Sequence, residues 1–412
     1  MEVKSKLKNF FHNRWASLCR TWHHVAISIP FIVVAGSIAL SVASVIRINS
    51  ILDGQFFQYS AEYFGSENLS YRQLTVISRG LEQDDGSAPR ACSEGLNQEK
   101  VQQLHEALAL TEESNNSSSK RNQAIMNGLQ NLWADCYSST ATYPAKGYLN
   151  KDERGSVTSA EIVGVGGNYG MVHPFRYESG GFLAAEGGDR FAIVLNTQMA
   201  WNLFHSYEVL GAEVEINQTR YEVVGVVCEG DDAIAEATDV TKPRAYVNFG
   251  QLARLINGPS VSKTDSDIDN SVKETDLAVT CYEVLLTDPI KNIAYNDLMK
   301  VLGDELGYQE GNTVMEVVNN TGRFNVLRLY EKYFPLKKSV DSLNGIKLPF
   351  HERSARLAEQ YVVFWAEMLI VGGIGLITGL CGVYAAIHGR KSKHEIIYVD
   401  SDDETLMDIH RV

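Results

Sequence analysis

The stretch VAISIPFIVVAGSIALSVASVI, from Val25 to Ile46, contains no charged side chain. A second uncharged stretch, MLIVGGIGLITGLCGVYAAI, runs from Met368 to Ile387. An α-helix rises about 1.5 Å per residue, so about 20 apolar residues can cross a hydrocarbon core about 30 Å thick. The sequence therefore predicts two transmembrane helices, over 25–46 and 361–388, and the folded part of the chain lies between them.

The first stretch is interpreted as an uncleaved anchor. Ser41-Val42-Ala43 has some likeness to a signal-peptide cleavage site. However, the uncharged run is longer than the apolar core of about 7–15 residues that signal peptides use. We therefore expect this helix to remain in the mature protein.

Basic residues flank both predicted spans on the side of the chain termini. They are Lys4, Lys6, Lys8, Arg14 and Arg20 before the first span, and Arg390, Lys391 and Lys393 after the second. Short flanks rich in Lys and Arg stay in the cytoplasm. The pattern predicts a cell-membrane protein with both termini in the cytoplasm and a large extracellular domain between them.

The first 24 residues have aromatic and basic side chains in helical alternation. Phe10, Phe11, Trp15, Leu18 and Trp22 recur at near-helical spacing, with Lys and Arg between them. Such a helix lies at the membrane interface, where aromatic rings reach the headgroup region. We predict a cytoplasmic amphipathic helix over 1–24, and an ordinary cytoplasmic helix start is the alternative.

Net charge and the absence of known motifs argue against several classes of function. The formal net charge of −14 argues against nucleic-acid binding, because phosphate contacts need Lys and Arg. The sequence has no P-loop, H-E-x-x-H, G-x-S-x-G or kinase signature, and Gly164, Gly166 and Gly167 fit a loop between strands better than a dinucleotide site. We therefore expect no catalytic residues, no cofactor and no enzymatic activity in this chain.

Four cysteines fall between the spans, at Cys92, Cys136, Cys228 and Cys281. Disulfides persist outside the cell, and Cys228 and Cys281 each lie in a strand-like run, so we favour a bond between them; free buried thiols are the alternative. We expect no metal site, because no cysteines have C-x-x-C spacing and no histidine lies nearby in sequence. His173 is interpreted as an ordinary histidine rather than a ligand.

The region between the spans changes its hydrophobic period along the chain. Amphipathic helical spacing over 97–110 gives way, from about residue 159, to runs with period two that are broken by Gly, Asn and Asp. The pattern predicts an α+β fold in which a β-rich lobe (156–265) is inserted between two parts of an α/β lobe (47–155 and 266–360). Further predicted helices lie at 124–133, 197–204, 249–256, 290–306 and 326–333, and further strands at 71–77, 160–165, 191–195, 212–216, 221–227, 245–247, 277–286 and 313–318, with a loop over 258–273.

Helical patterns also continue outward from both spans. Ile48 to Phe64 and His351 to Tyr361 have helical spacing, and the second runs into its span without a helix breaker. Such stems are stiffer than Gly/Ser linkers and can transmit movement across the membrane.

The second span is rich in glycine. Small residues let another helix approach closely, which is how helices associate in lipid, whereas incidental glycine is the alternative. The predicted packing face consists of Gly372, Gly373, Gly375, Gly379 and Gly382.

Several segments follow one another in a characteristic order: Gly180-Gly181-Phe182, Asp189 to Leu195, Met199 to Phe204, Gly211 to Val227, Ala245-Tyr246-Val247 and Gln251 to Ile256, and then the glycine-rich Ile370 to Leu376. In this order they resemble the extracytoplasmic core domain of MacB-type ABC permeases, a family that also includes FtsX-like and lipoprotein-releasing permeases. Asn217 or Gln218 stands where the family has a turn glycine.

The resemblance implies a non-catalytic subunit that couples a separate cytoplasmic ABC-type ATPase to movement of the outer domain, in the export direction. The family has four spans, so we expect a second permease chain as a partner. The lipid bilayer is the other expected partner of the two spans. The resemblance assigns ATPase coupling to the segment with Arg390, Lys391, Lys393, His394, Glu395 and Ile396.

Two other functions stay open. The acidic tail from Asp400 to Asp408 replaces the basic and small residues of the family, which fits an ATP-independent extracellular sensor or adaptor that docks a regulator. A disordered, solvated tail is the simpler interpretation of the same residues. An enzyme acting outside the cell is a third class, and no motif supports it.

Overall fold

The computed structural model describes the backbone of residues 2–65, 70–81, 88–115, 133–148, 156–185, 188–230, 233–238, 242–257, 276–311, 313–333 and 346–409. The side chains of residues 2–27, 113–115, 256–257 and 388–409 lie outside the description. The chain divides into two compact units. The first comprises residues 1–50 and 361–412, and the second, which we call the outer unit, comprises residues 51–360.

Helices at both chain ends are much longer than those between them. The helices are α1 (Glu2–Asp53), α2 (Ser60–Phe64), α3 (Gln98–Asn115), α4 (Tyr169–Val172), α5 (Thr197–Phe204), α6 (Ala233–Ala237), α7 (Phe249–Asn257), α8 (Ile293–Leu306), α9 (Val326–Tyr333) and α10 (Phe350–Ile409). A 3-10 turn lies at Phe56–Gln58. The predicted helices at 97–110, 197–204, 249–256, 290–306 and 326–333 are confirmed within a few residues.

The strands of the outer unit are β1 (Tyr71–Ser78), β2 (Gly80–Leu81), β3 (Arg90–Ala91), β4 (Ala134–Tyr148), β5 (Val157–Gly167), β6 (Arg176–Gly180), β7 (Ala192–Asn196), β8 (Glu213–Ile216), β9 (Thr219–Cys228), β10 (Arg244–Asn248), β11 (Cys281–Thr287) and β12 (Met315–Asn319). Every predicted strand corresponds to one of these, although β11 begins four residues later than predicted.

One sheet of the described residues contains ten of these strands and has an open part and a closed part. In the open part the order is β12–β1–β11–β4, and all neighbours are antiparallel. In the closed part β4 pairs with β5, β5 with β10, β10 with β7, β7 with β9, β9 with β8 and β8 again with β4. These six pairings form a ring, which we call the strand ring, and the tenth strand, β6, pairs with β9.

Strand β4 belongs to both parts of the sheet. Its first residues pair with β11, as in Cys136 with Glu283, and its last residues pair with β8, as in Ala145 with Ile216. Along the whole length its other edge pairs with β5. The predicted boundary at 156 therefore falls between two paired strands, and the division into two lobes stays a prediction.

Both faces of the open sheet are covered. On one face Val284 packs in a cluster with Leu104 and Leu108 of α3 and Leu298 and Leu302 of α8. On the other, Leu285 lies in a second cluster with aromatic side chains that include Phe56, Phe57, Phe175 and Phe350. Successive residues of a strand point to opposite faces, so Cys281 and Glu283 share the aromatic-covered face with Leu285.

The turn between β8 and β9 needs left-handed backbone. Asn217 has a φ of 45° and Gln218 a φ of 64°. Two positive φ angles define a type I′ hairpin turn, in which glycine or asparagine is favoured. Asn217 also donates from its Nδ2 to the carbonyl of Leu255 at 2.5 Å, which compensates for the missing glycine.

The first stem was predicted as one continuous helix over 48–64, and the structure differs from this prediction. Helix α1 ends at Asp53, and Gln55, Phe56, Phe57 and Gln58 are all buried. Successive residues of a helix point about 100° apart, so a continued helix could not bury four in a row against one surface. A 3-10 turn at Phe56–Gln58 does so instead.

Two predicted segments cannot be compared with the structure, and one observed strand was not predicted. The predicted helix over 124–133 and the loop over 258–273 lie mainly or wholly outside the described residues. Strand β4 was not predicted, because its sequence ADCYSSTATYPAKGY has no apolar run and contains Pro144. It forms because both of its edges pair with neighbouring strands, which is a tertiary context.

Among the described residues, two helices are long and apolar enough to span a membrane. The candidate spans are Ser28–Asp53 and Phe350–Ile387, with mean hydropathies of 2.4 and 2.0. The glycines of α10 lie against α1 in antiparallel order: a Cβ on Gly372 would lie 2.4 Å from Ser41 Oγ, and one on Gly379 would lie 2.7 Å from Val34 Cγ2. The helices thus approach too closely for larger side chains at these positions.

The five glycines of the predicted packing face are not equivalent. A Cβ on Gly375 would meet Ser37 Oγ at 2.4 Å, and one on Gly382 would meet Pro30 at 3.2 Å. A Cβ on Gly373 would have no neighbour within 4 Å. Four of the five residues therefore lie on the side that faces α1, and Gly373 does not.

We predict that Gly379→Leu destabilises the helix pair by about 1–3 kcal/mol, because the new side chain would overlap Val33 and Val34. The measurement is the heating temperature at which the detergent-purified protein loses its monodisperse chromatographic peak. Gly373→Leu adds the same side chain where there is space, and it should leave that temperature unchanged. Equal loss for the two variants would contradict the packing.

Candidate functional site

The beginning of α10 is buried in the outer unit and forms the candidate site. We call residues 350–360 and the side chains that they contact the stem joint. Phe350, His351 and Glu352 are consecutive, and each is less than 8% exposed. Because successive helical residues point in different directions, these three side chains contact three different parts of the domain.

Phe350 contacts the strand ring. The guanidinium of Arg244, on β10, lies 3.8 Å from the centre of the Phe350 ring, which is a cation–π contact. Arg244 is 1% exposed and bonds to Glu161 at 2.5 Å and Glu229 at 2.6 Å. Tyr246 donates to the other oxygen of Glu229. The first residue of α10 therefore lies against a fully paired buried cation.

Glu352 contacts the segment that follows β12. Arg323 donates to both carboxylate oxygens of Glu352, at 2.6 and 2.9 Å, and its Nε donates to Glu359 at 2.5 Å. Burial lowers the pKa of Arg323, but the two carboxylates outweigh burial and raise this pKa above its ordinary value. The guanidinium therefore stays charged between two turns of the same helix.

Further ion pairs continue the network on both sides of Arg323. Arg356 donates to Glu352 at 2.6 Å and to Glu316, on β12, at 2.9 Å. Lys332, on α9, donates to Glu359 at 2.7 Å, and Tyr333 donates to the same carboxylate. Three turns of α10 are thus held to β12 and α9 by charge-assisted bonds that are mostly buried.

The first stem also reaches the joint. Gln55 donates from its Nε2 to Ser354 Oγ at 3.1 Å, and both residues are buried. Next to them, the ring of Phe57 packs edge-on against those of Phe350 and Phe175, at 5.9 and 5.2 Å between centres. Residues from both stems therefore share one contact region in the outer unit.

His351 contacts the open part of the sheet. Its Nε2 lies 3.7 Å from Glu283 Oε1 and 4.0 Å from Cys281 Sγ. On the other side of Glu283, Oε2 lies 2.8 Å from His173 Nε2. Cys136 stands opposite Glu283 in the β4–β11 ladder and offers its sulfur to the same group. We call Cys136, His173, Cys281, Glu283 and His351 the Cys/His/Glu cluster.

Burial sets the protonation of the cluster. It raises the pKa of both thiols well above the usual range, and the neighbouring Glu283 carboxylate raises it further. Burial also raises the pKa of Glu283, but the imidazoles of His173 and His351 outweigh this and lower it to about 2. The described chain therefore holds a buried carboxylate beside two neutral thiols.

A cleft of about 750 Å³ lies apart from the stem joint. It is lined by residues that include Gly166, Tyr169, Phe182, Asn248, Gln251 and Arg254. This volume lies within the range of small-molecule sites, about 300–1,000 Å³.

The predicted disulfide between Cys228 and Cys281 is corrected by the structure. Neither Cys228 nor Cys281 is in a disulfide bond. Cys228 lies on β9 and Cys281 on β11, and even by the shorter path around the strand ring β8 and β4 lie between these strands. Neighbouring strands are about 4.8 Å apart, so two cysteines so far separated cannot meet. The strand assignments were right, but the expectation that the strands are neighbours was wrong.

The ATPase-coupling candidates Arg390, Lys391, Lys393, His394, Glu395 and Ile396 lie on α10, which continues to Ile409. Their side chains lie outside the described residues. Their role stays a prediction.

Sequence reasoning missed the residues of the stem joint. One usable signal was the run HERSARLAEQ, in which charges recur at helical spacing directly before an apolar span. Another was Glu283 itself, a lone acid in the otherwise apolar strand CYEVLLT. Arg244 and Arg323 gave no signal, because isolated arginines in loops and strand ends are usually solvated.

The family model described as MacB-like periplasmic core domain matches residues 31–280. The crystal structure of the periplasmic region of MacB from Actinobacillus actinomycetemcomitans is 14% identical, with a TM-score of 0.38, covering 65% of this chain and 95% of that one. The extracellular domain of the noncanonic ABC-type transporter YknZ from Gram-positive bacteria is 16% identical, with a TM-score of 0.34, covering 60% of this chain and 100% of that one. No curated protein sequence matches.

We predict that Arg323→Gln lowers the free energy of unfolding by about 3–5 kcal/mol, because it leaves the buried carboxylates of Glu352 and Glu359 without their shared cation. Arg328→Gln is the matched control, since Arg328 is exposed and five residues away. The measurement is thermal unfolding of the full-length protein in detergent. A loss that is equal in the two variants would contradict the role of the network.

Proposed function

This chain belongs to the family defined by the MacB-like periplasmic core domain, and from that premise we propose that it is a non-catalytic membrane subunit of a mechanotransmission-type ABC transporter. In this proposal a separate cytoplasmic ATPase hydrolyses ATP, and this chain passes the resulting movement to its outer domain, in the direction of export. The chain itself performs no chemical step.

The proposal uses a membrane topology. Two apolar helices and a core domain of the periplasmic class make the chain a membrane protein with a folded domain outside the cytoplasm. We add that both termini lie in the cytoplasm, supported by the Lys and Arg residues that flank the spans on their terminal sides. The ATPase would then meet the segment after residue 388.

The stem joint is the observation that carries the proposal. Helix α10 is continuous from Phe350 to Ile409, so no flexible linker interrupts it. Its first three residues contact Arg244 of the strand ring, Glu283 of the open sheet and Arg323 after β12. A displacement of this helix must either carry all three parts with it or break buried charge pairs, which is costly. Such a joint suits a transmitter of movement better than a passive anchor.

The proposed partners follow from the two ends of the transmitter. The ATPase would contact α10 around Arg390, Lys391, Lys393 and His394, with Glu395 and Ile396 completing the coupling segment. A second permease chain would supply further helices to the membrane part of the assembly.

We expect an ABC-type ATPase to co-purify with the full-length protein from its native membrane in mild detergent, together with a second permease chain. The double variant Arg390→Glu/Lys393→Glu should reduce ATPase recovery at least roughly tenfold, or about 1.4 kcal/mol of binding, because it reverses the charge of the coupling segment. Quantitative mass spectrometry measures the ratio.

The control for that experiment is Lys300→Glu/Lys347→Glu, which makes the same charge change at exposed positions of the outer domain. It should leave ATPase recovery unchanged. Purification of the wild type without any ATPase would contradict the proposal.

A ligand-binding sensor is the second candidate, and the cleft beside Arg254 favours it. In that function the protein would purify without an ATPase, and a small molecule would raise its unfolding temperature. The stabilisation should be lost in Arg254→Gln but retained in Arg328→Gln. Stabilisation that survives Arg254→Gln would remove this cleft from consideration.

A further inference from the structure

Five potential metal ligands that are distant in sequence converge at one buried place in the outer unit. Cys136 comes from β4, Cys281 and Glu283 from β11, His173 from the end of α4 and His351 from the first turn of α10. All five are at most 3% exposed. Two groups of three ligand atoms lie within 4.8 Å of one another, Cys136 with His173 and Glu283, and Cys281 with Glu283 and His351.

The set combines soft and borderline ligands. Thiolate and imidazole are the usual ligands of Zn²⁺, and a carboxylate is the third ligand type that this ion accepts. A tetrahedral zinc site places sulfur and imidazole nitrogen roughly 3.5 Å apart, given bonds of about 2.3 and 2.0 Å. The observed distance from Cys281 Sγ to His351 Nε2 is 4.0 Å, so only a small inward shift is needed.

Several polar atoms of the cluster lack hydrogen-bond partners. His173 Nε2, Glu283 Oε2 and His351 Nδ1 are buried without a hydrogen bond. His173 Nε2 and Glu283 Oε2 are 2.8 Å apart and form an ion pair only if the imidazole is protonated; if it is neutral with its proton on Nδ1, two lone pairs face each other. Buried polar atoms are rarely left in this way, and an unassigned ion is one accepted explanation.

The tautomer of His173 fits coordination. Its Nδ1 lies 3.1 Å from the carbonyl oxygen of Tyr169 and can donate its proton there. Metal-bound histidines commonly hold their second ring nitrogen in this way, which directs the lone pair of the other nitrogen toward the ion. Nε2, which faces Glu283, is then the coordinating atom.

Charge also favours a cation at this place. The ion-pair partners of Glu283 among the described residues are the imidazoles of His173 and His351, and Thr75 donates a hydrogen bond to Oε1 at 3.1 Å. No lysine or arginine of the described chain lies within ion-pair distance of Glu283, unlike the carboxylates of the Arg323 network. A divalent ion would compensate the carboxylate and stabilise the deprotonated thiols beside it.

We propose that the Cys/His/Glu cluster is a structural binding site for a thiophilic divalent ion of the Zn²⁺ class. All five residues are at most 3% exposed, so the group is closed to solvent, as is usual at structural sites. The ion would join β4 and β11 to the first turn of α10 and so fix the stem joint. Nothing in this inference requires that the protein be a transporter subunit.

The test uses full-length protein purified in detergent without an affinity tag that binds metal, with its thiols kept reduced. Elemental analysis should find one or two zinc equivalents per chain. After removal by chelator, titration with ZnCl₂ against a chromophoric competitor should give a Kd below about 1 µM. Replacement by Co²⁺ should produce thiolate-to-metal charge-transfer absorption, which a carboxylate or surface histidine site would not give.

Variants assign the site to these residues. Cys281→Ser and Glu283→Gln should each weaken Zn²⁺ binding at least roughly 100-fold and remove or shift the Co²⁺ absorption. Cys228→Ser is the matched control, because Cys228 is also buried but lies on β9. It should bind Zn²⁺ like the wild type. Circular dichroism and gel filtration establish that each variant is folded, and chelator should lower the unfolding temperature of the wild type.

Three results would overturn the proposal. The first is reduced wild-type protein that contains no metal and takes up no Zn²⁺ in the micromolar range. The second is a disulfide between Cys136 and Cys281 in the protein as isolated, detected by peptide mass spectrometry. The third is Zn²⁺ affinity and Co²⁺ absorption that both Cys281→Ser and Glu283→Gln leave unchanged.

Discussion

A charge buried at the base of a helix must be paired, and this constraint fixes how α10 enters the outer domain. Glu352 and Glu359 are each about 1% exposed, and Arg323 supplies the cation that both need. Buried ion pairs add little net stability compared with apolar packing, but removing one partner is strongly destabilising. The network therefore acts chiefly by selecting one position of the helix, because any other position leaves a buried charge without a partner.

The same reasoning explains why one short helical segment can bind three parts of the domain. Phe350, His351 and Glu352 point in successive directions around the helix, toward the strand ring, the open sheet and the segment after β12. These parts are themselves joined by β4, which pairs with β11 at one end and β8 at the other. A sheet held together by one shared strand and contacted by one helix can respond to that helix as a unit, which is what mechanical coupling requires.

The two kinds of contact at the joint differ in their physical character. The arginine–carboxylate pairs involve fixed charges that persist over a wide pH range, as the raised pKa of Arg323 indicates. The Cys/His/Glu cluster has no such fixed cation, and its thiols are neutral while they are unbound. A joint that combines a permanent ionic network with a group able to accept an ion can be strengthened by that ion without any change in fold.

The sequence by itself determined the two spans, the stem that enters the second span, most strands and helices, and the family resemblance, because these depend on local composition, hydrophobic period and the order of short segments. It could not give strand order, so it placed Cys228 and Cys281 side by side, and it missed β4, whose strand conformation depends on its neighbours. Its expectation of no metal site rested on the lack of C-x-x-C spacing and of a histidine near the cysteines, and sequence spacing says nothing about how His173, Glu283 and His351 lie in space. Only the tertiary structure brings these residues together, because pairing between distant strands and the burial of charge are set by contacts that no local pattern encodes.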